Sequence, residues 1–239
     1  MSYSDNGVFL GILGGLGPMA TVYFYEMLTE HTKAERDQDH IDIIISSKAS
    51  TPDRTAYILG NSEESPIDSM ISEINRLNNA GASIIVIPCN TAHYFYDKLA
   101  SAVNKPIINI IEETAKFCVS RGMKKVGILA TEGTVSSGAY NRYLENYGVE
   151  VITPSKDGQA IINSIIYDRI KKNLEPDMDL FFNVCRELED CDTLVLGCTE
   201  LSLLKKSGKL DNRFTDSLEV LAYSTITACG KTPVGFDFI

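Results

Sequence analysis

The fold is indicated by one stretch of the 239-residue chain, Ile85-Val86-Ile87-Pro88-Cys89-Asn90-Thr91, and by a similar later stretch, Leu194-Val195-Leu196-Gly197-Cys198-Thr199-Glu200. Each is a short apolar segment that ends at a cysteine and continues into polar residues. A second pair follows the same order at nearly the same spacing: Gly11-Ile12-Leu13-Gly14-Gly15-Leu16-Gly17 and Gly127-Ile128-Leu129-Ala130-Thr131-Glu132-Gly133. The two matches predict an internal duplication, although any two strand–turn–helix units share some of this likeness.

Apolar and amphipathic segments alternate along the whole chain. Short segments rich in Ile and Val are typical of strands buried on both faces, and they are Val8–Leu13, Ile41–Ser46, Ile84–Pro88, Ile107–Asn109, Val126–Ala130, Val149–Ile152 and Leu194–Gly197. Helical patterns lie between them, among them Ala20–Arg36, Pro66–Ala80, Glu112–Arg121 and Ser137–Asn146. The alternation predicts an α/β fold with mainly parallel sheets flanked by helices.

The duplication and the alternation together predict two similar lobes, with the active site in the cleft between them. The first lobe is predicted to span residues 1–104 and the second residues 105–212. A last helix, at about Leu218–Gly230, is predicted to return residues 213–239 to the first lobe. No low-complexity or Pro/Ser-rich linker separates the lobes.

Charge and composition exclude several classes of partner. The net charge of -10 argues against nucleic acid and against an anionic membrane surface, since both need a basic face. The apolar stretch Val8–Ala20 is too short to span a bilayer and is interrupted by glycines and a proline, so we expect neither a membrane span nor a signal peptide. A cytoplasmic protein is expected. An acidic substrate would need cations of its own in the site.

The six cysteines do not form a metal-binding pattern. No pair has Cys-x-x-Cys spacing, and the three histidines do not cluster with them, so neither zinc nor any other metal is expected. Without a secretory signal, six cysteines do not imply disulfides. We interpret four of them as small buried apolar residues; these are Cys118, Cys185, Cys191 and Cys229.

Cys89 and Cys198 differ from the other four because each follows an apolar strand directly. Ligands of open α/β sheets bind at the carboxyl ends of strands, and a helix that starts there favours both a thiolate and a bound carboxylate. Two thiols in opposite protonation states can remove a proton from one face of a carbon and supply one to the other face. A nucleophilic cysteine would instead require a histidine partner. We interpret His93 as a packing or capping residue.

The loop Gly15-Leu16-Gly17-Pro18-Met19-Ala20 fits the dinucleotide-binding pattern and follows a strand. That pattern also needs an acidic residue at the end of the second strand, where this chain has Ser46-Ser47-Lys48. Pro18 removes a backbone donor from the loop. A nicotinamide or flavin cofactor is therefore not expected, and the glycines are predicted to let the backbone approach a substrate or a neighbouring loop.

Four motifs in order resemble the aspartate/glutamate racemase superfamily, and its aspartate racemase branch above all. They are Gly14-Gly15-Leu16-Gly17-Pro18-Met19-Ala20-Thr21, Pro52-Asp53-Arg54-Thr55, Pro88-Cys89-Asn90-Thr91-Ala92-His93 and Gly197-Cys198-Thr199-Glu200-Leu201. The resemblance implies racemisation without pyridoxal phosphate, metal or nucleotide, two catalytic cysteines, and a two-lobed fold that commonly dimerises. Some relatives carry threonine at one cysteine position, whereas this chain keeps both. Hydantoin racemases, maleate isomerases and arylmalonate decarboxylases belong to the same superfamily.

Two basic residues are candidates for binding a second substrate carboxylate. Arg54 lies in a turn after the second strand, and its planar fork can bind a carboxylate through two hydrogen bonds. The alternative is a surface arginine paired with Asp53. Lys171 lies at a similar position in the second repeat, and the resemblance implies a substrate-contacting lysine there. A solvated basic helix face that includes Arg169 and Lys172 is the alternative.

The resemblance and the strand-end positions supply the remaining site predictions. Asn90, Thr91 and Thr199 are predicted to bind the α-carboxylate, or to cap helices with the same atoms. Thr131 and Thr134 are predicted to close the equivalent end of the cleft. Glu200 would orient the substrate ammonium or fix the loop, and Met19 would tune specificity. The predicted activity is aspartate racemisation, extending to glutamate; the alternatives are a broad-specificity amino-acid or hydantoin racemase, or a non-catalytic protein that binds an acidic metabolite.

Overall fold

The computed structural model describes residues 7–238. The strands of this part of the chain are β1 (Phe9–Gly14), β2 (Asp42–Ser47), β3 (Ile84–Val86), β4 (Ile107–Ile108), β5 (Lys125–Leu129), β6 (Glu150–Ile152), β7 (Thr193–Leu196) and β8 (Phe214–Asp216). The α-helices are α1 (Pro18–Glu30), α2 (Arg54–Ile58), α3 (Ile67–Asn79), α4 (Tyr96–Ser101), α5 (Ile110–Ser120), α6 (Glu132–Ser136), α7 (Ala139–Leu144), α8 (Lys156–Ser164), α9 (Met178–Arg186), α10 (Ser202–Lys206) and α11 (Ser217–Ala228). Short 3₁₀ turns occupy Asp37–Asp39, Thr91–Phe95, Glu145–Tyr147 and Ile170–Lys172, and a π-helical turn occupies Ile165–Arg169.

The strands form two four-stranded sheets with the same order. The first sheet runs β2-β1-β3-β4 and the second runs β6-β5-β7-β8. The strand pairs within both sheets are parallel. The predicted α/β fold with two similar parallel lobes is therefore confirmed, and the repeated strand order supports the duplication.

A layer of helices lies between the two sheets and carries the main hydrophobic core. Leu10 of β1, Phe24 of α1, Ile128 of β5 and Leu221 of α11 all belong to this core, so it is shared by both lobes. Helix α5 follows the first sheet and packs against α7 of the second half, whereas α11 follows the second sheet and packs against α1 of the first half. Helices α3, α8 and α9 cover the outer faces over two smaller cores.

Two elements differ from the sequence prediction for local reasons. Strand β8 was not predicted because only Phe214 in it is strongly apolar, yet it pairs with β7 along three residues. Helix α1 begins at Pro18, which suits the first helical position. It ends at Glu30, well before the predicted Arg36, because the next residues pair with Thr232–Val234 through two backbone hydrogen bonds of 2.9 Å.

The strands constrain where the chain can be divided. Strand β4 pairs within the first sheet and β8 within the second. A division that keeps both sheets whole would therefore fall after residue 108 and after residue 216, a few residues beyond the predicted positions. Residues 1–6 and Ile239, which belong to the predicted first lobe, lie outside the described residues. From residue 7 to residue 238, no helix combines the length and the apolarity that crossing a membrane requires.

Candidate functional site

The carboxyl ends of β3 and β7 bring two cysteines to one narrow cavity between the lobes. Cys89 and Cys198 both line this inner cavity and both are buried. Its volume of about 10 Å³ leaves room for roughly one water molecule. The structure thus brings together the two thiols that the duplication singled out. The other four cysteines are free and buried away from this cavity, and burial raises the pKa of Cys118 and Cys185 to about 12.

Cys198 is held by a carboxylate two residues later in its own loop. Its Sγ donates a hydrogen bond of 3.0 Å to Oε2 of Glu200, and Nζ of Lys171 lies 3.1 Å from the other oxygen, Oε1. Burial raises the pKa of Cys198 well above its ordinary value, and the negative charge of Glu200 raises it further. The expectation that a strand-end position favours a thiolate is therefore wrong for Cys198. The first regular helix after this cysteine starts only at Ser202, so no helix N-terminus offsets these two effects.

His93 holds the backbone of Cys89. Its Nδ1 lies 2.8 Å from the carbonyl oxygen of Cys89, and its Nε2 accepts a hydrogen bond of 3.4 Å from the N–H of Ile110. Because the first partner only accepts and the second only donates, the ring is neutral with its proton on Nδ1. Burial lowers the pKa of His93 to about 4, which agrees with this assignment. The ring ties the cysteine loop to the start of α5, as the packing interpretation predicted.

Arg54 is a buried residue with part of its donor capacity unused. Its Nη2 donates to the carbonyl of Leu16 at 2.8 Å, and its Nη1 donates to the carbonyls of Thr51 and Pro52 at 3.3 and 3.1 Å. Its Nε has no hydrogen-bond partner among the described residues. The alternative of a surface arginine paired with Asp53 is wrong, because Arg54 is 7% exposed and Asp53 caps α2 through the N–H of Ala56. The guanidinium lines the inner cavity with donors to spare.

Lys171 reaches the same cavity from the second lobe. The helix that precedes it loosens into a π-helical turn and then a 3₁₀ turn, which ends at Asn173 with a φ of 55°. This irregular path turns Lys171 inward, while its neighbour Lys172 pairs with Asp168 at the surface. Burial lowers the pKa of Lys171, but the surrounding acidic groups, Glu200 first among them, together raise it above its ordinary value, so the ammonium stays charged. A solvated basic helix face is therefore the wrong description of Lys171.

Two equivalent glycines allow the lobes to meet closely. A Cβ on Gly17, in the loop after β1, would collide with the carboxylate of Glu200 from the second lobe. A Cβ on Gly133, at the equivalent position after β5, would stand 2.9 Å from Cα of Thr55 in the first lobe. The prediction that the first glycine loop lets a neighbouring loop approach is confirmed. At Gly15 the neighbour is the backbone of Lys48 and Ala49 in the loop after β2, and at Gly17 it is the side chain of Glu200 from the loop that carries Cys198.

Hydroxyl groups join the lobes on the Cys89 side. The Oγ1 atom of Thr91 lies 3.0 Å from that of Thr131 and 2.9 Å from that of Thr134. Thr91 and Thr131 line the inner cavity, and Thr134 lies behind them. Asn90 also lines it, with its side chain fixed by Tyr140 and Ser217 at 2.7 and 3.0 Å. Thr199 completes the lining beside Cys198.

An outer cavity of about 350 Å³ adjoins the inner one. The two share five lining residues, namely Leu16, Asp53, Arg54, Lys171 and Glu200. Met19, the predicted specificity residue, lies at the outer cavity and is 52% exposed. The outer cavity is large enough to admit a small molecule to the residues that close the inner one.

Sequence reasoning missed Tyr167 as a lining residue. Its hydroxyl lies 3.3 Å from both carboxylate oxygens of Asp53, and Nζ of Lys171 lies 5.1 Å from the centre of its ring. Tyr167 therefore bridges the lobes and supports the lysine. Its position four residues before Lys171 was the available signal, because such spacing places two residues on one helix face.

Comparisons with known proteins agree with this geometry. The family model described as Asp/Glu/Hydantoin racemase matches residues 13–225. The chain is 28% identical over 223 residues to the broad specificity amino-acid racemase RacX of Bacillus subtilis, covering 91% of this chain and 96% of that protein. The structure of Picrophilus torridus aspartate racemase superposes with a TM-score of 0.84 at 33% identity, over 95% of this chain and 96% of that one. An aspartate racemase homologue from Pyrococcus horikoshii gives a TM-score of 0.73 at 27% identity, over 92% and 98%. The chain belongs to the Asp/Glu/hydantoin racemase family.

Proposed function

We propose that this racemase interconverts the L and D forms of aspartate, with Cys89 and Cys198 as its acid and base. The observation that carries the proposal is that equivalent positions of two duplicated lobes supply one thiol each to a single buried cavity. Inversion of a stereocentre needs a base on one face of Cα and an acid on the other. A thiol from each lobe meets that need, and the same two groups can exchange roles in the reverse direction.

The cations of the site favour a substrate with two carboxylates. Arg54 and Lys171 line the inner cavity from opposite lobes, and the Nε–H of Arg54 is unused. Two carboxylates, Asp53 and Glu200, line the same cavity, and Lys171 pairs with Glu200, so Arg54 is the cation of the cavity with the most donor capacity left for a substrate carboxylate. We propose that Arg54 binds the side-chain carboxylate and that Lys171 assists. The α-carboxylate would meet Asn90, Thr91 and Thr199.

The closed cavity provides the environment for removing a weakly acidic Cα proton. A thiolate is a weak base for such a proton, so the developing negative charge must be stabilised by fixed donors in a site without bulk water. The inner cavity is buried and lined by the amide, hydroxyl and guanidinium groups that can donate. Because it leaves room for only about one water, the lobes must part to admit a substrate from the outer cavity and then close.

A second candidate is broad-specificity amino-acid racemisation. The similarity to the Bacillus subtilis enzyme covers nearly the whole of both chains and favours this second candidate. Such an enzyme would use the same two thiols but would rely less on Arg54. A non-catalytic protein that binds an acidic metabolite is disfavoured, because binding alone gives no reason for two thiols in one cavity. A cytoplasmic location and a homodimer remain parts of the proposal that rest on the family.

Proton exchange in deuterated water tests the proposal. The purified protein would be incubated with single enantiomers of aspartate, glutamate, alanine and serine, without added cofactor. We expect aspartate to racemise and to gain deuterium at Cα, whereas a C89S/C198S double variant should leave both enantiomers unchanged. Racemisation of all four substrates at similar rates would favour the broad-specificity enzyme. Absence of exchange with every amino acid would overturn the proposal.

A further inference from the structure

We propose that Glu200 holds the thiol of Cys198 protonated, so that Cys198 is the acid of the resting enzyme. This inference rests on the proposed function for the roles of acid and base. The contact itself does not depend on that function. Glu200 is therefore a positioning residue that acts through Cys198.

The geometry around Glu200 gives both of its oxygens a partner. Oε2 accepts the hydrogen bond from Sγ of Cys198 at 3.0 Å, and Oε1 lies 3.1 Å from Nζ of Lys171. Glu200 is 5% exposed, so water cannot replace either contact easily. Both oxygens are thus engaged inside the protein, one by the thiol and one by the ammonium.

Among residues 7–238, no such carboxylate lies at the equivalent position beside Cys89. The residue two positions after Cys89 is Thr91, and its hydroxyl contacts Thr131 and Thr134. The other carboxylate that lines the inner cavity belongs to Asp53, which accepts from the N–H of Ala56 and contacts the hydroxyl of Tyr167. Two equivalent positions therefore carry different groups, and the difference gives the two thiols different surroundings.

The charges of Glu200 and Lys171 determine that Cys198 keeps its thiol proton. With Cys198 as a thiol, the buried carboxylate of Glu200 is balanced by the ammonium of Lys171. Loss of the thiol proton would place a second negative charge 3.0 Å from the carboxylate, and a like charge at such a distance strongly disfavours ionisation. The shift in the pKa of Cys198 has the same direction: burial and then Glu200 raise it, and the opposing effect of Lys171 is smaller.

The consequence for turnover is an order of events. With Cys198 held as the thiol, Cys89 is the group left to act as base, so the enzyme is set to act on the enantiomer whose Cα proton faces Cys89. Cys89 takes that proton and Cys198 delivers its own to the opposite face. After the product leaves, the proton on Cys89 must be lost and Cys198 must be reprotonated, so no proton is gained or lost over a full cycle. The opposite enantiomer needs the less populated form, in which Cys198 carries the charge.

Site-resolved alkylation tests the inference without any substrate. The charged and titratable groups that line the cavity are Cys89, Cys198, Glu200, Lys171, Tyr167, Asp53 and Arg54. Each cysteine would be labelled with iodoacetamide at a series of pH values and the extent of labelling measured by mass spectrometry. The pH midpoint of the labelling rate reports the pKa of that thiol, and the plateau at high pH reports its accessibility to the reagent. In E200Q we expect at least a tenfold rise in labelling of Cys198 at neutral pH, through a lower midpoint. Labelling of Cys89 should stay within about twofold.

Two further variants complete the design. Glu175→Gln is the matched control, because it removes a carboxylate that pairs with Lys209 at the surface; it should change neither cysteine. Lys171→Met leaves the charge of Glu200 unbalanced and should raise the pH midpoint for labelling of Cys198. This variant tests the inference independently if E200Q does not fold. An unchanged or higher midpoint in folded E200Q, or an unchanged or lower midpoint in folded K171M, would overturn the inference. If the wild-type protein racemises nothing, the proposed function fails, while the labelling still decides the role of Glu200.

Discussion

Gly17 of the first lobe lies directly against the carboxylate of Glu200 of the second, with no space for a Cβ between them. Gly133 makes the reciprocal contact with Thr55. The backbone of one glycine in each half therefore lies directly against a residue of the other half. A glycine at each position sets how near Cys198 and Cys89 come to a substrate held between them.

Replacing Gly17 by alanine should impair catalysis more than stability of the fold. The added methyl group must displace the carboxylate of Glu200, which holds the thiol of Cys198. A 1 Å displacement of a reacting group can cost on the order of 10²-fold in rate. We expect kcat/KM for aspartate to fall at least tenfold. Gly60→Ala is the matched control, because Gly60 also has a positive φ, but a Cβ added there would have no described atom within 4 Å. Equal losses in both variants would attribute the effect to backbone strain alone.

Serine at either Cys89 or Cys198 should abolish racemisation while the fold persists. A serine hydroxyl is a much weaker acid than a thiol and does not ionise to serve as the base, and loss of a positioned acid or base costs on the order of 10²–10⁴-fold. Thermal unfolding should change little, since the two residues are nearly isosteric. Cys191 is a buried cysteine outside the cavity, so the C191S variant serves as the control and should retain racemase activity. Substantial turnover by C89S or C198S would contradict the two-thiol scheme.

Replacing Arg54 by lysine should selectively weaken the binding of acidic substrates. It retains the charge of Arg54 but cannot offer the planar fork, and it cannot maintain all three carbonyl contacts of the native side chain. We expect KM for aspartate to rise about tenfold or more, with any activity on alanine little changed. Arg142→Ala, on the exposed face of α7, provides the comparison. An unaltered preference for aspartate in R54K would remove Arg54 from carboxylate binding.

His93 should make stability depend on pH in a defined window. Its pKa is lowered from 6.5 to about 4 in the folded protein, so the unfolded chain binds more protons between these values. The contribution of neutral His93 is therefore complete above pH 6.5 and lost as the pH falls through 4, and it amounts to about 3 kcal/mol.

Urea unfolding of wild type and H93Q measures this contribution. H93Q should be the less stable protein at pH 7, and the difference in the free energy of unfolding should shrink steadily toward pH 4. His40→Gln, remote from the cysteine loop, serves as the control. A constant difference between wild type and H93Q over this range would show that His93 titrates normally.

The sequence was sufficient for the architecture because buried parallel strands leave a strong apolar pattern. Strand β8 escaped prediction because three residues with one large apolar side chain carry no such pattern, and its place depends on pairing with β7. The inward turn of Lys171 also could not be predicted, since it follows a π-helical turn for which the sequence pattern gave no signal. Cys89 and Cys198 could be identified from the sequence because each directly follows a predicted apolar strand.

The electrostatics of the site needed the structure. A strand end next to a helix predicts a stabilised thiolate, yet Cys198 lies beside Glu200 with its first regular helix four residues away. Whether a glutamate two residues along the chain points at the thiol or at the substrate depends on side-chain direction in an irregular loop. The tenfold effects expected at Arg54 and Gly17 depend likewise on contacts between residues far apart in sequence.

The exchange of helices between the two halves has a thermodynamic consequence. Helix α5 leaves the first sheet to pack against α7, and α11 leaves the second to pack against α1, so the core between the sheets contains side chains from both halves. Neither half could bury its own apolar surface if it were expressed alone. We therefore expect the chain to unfold in one cooperative transition, with calorimetric and van't Hoff enthalpies that agree. We therefore expect the cleft to open by bending of the two halves about this shared core. The active site can then open while the core stays folded as one unit.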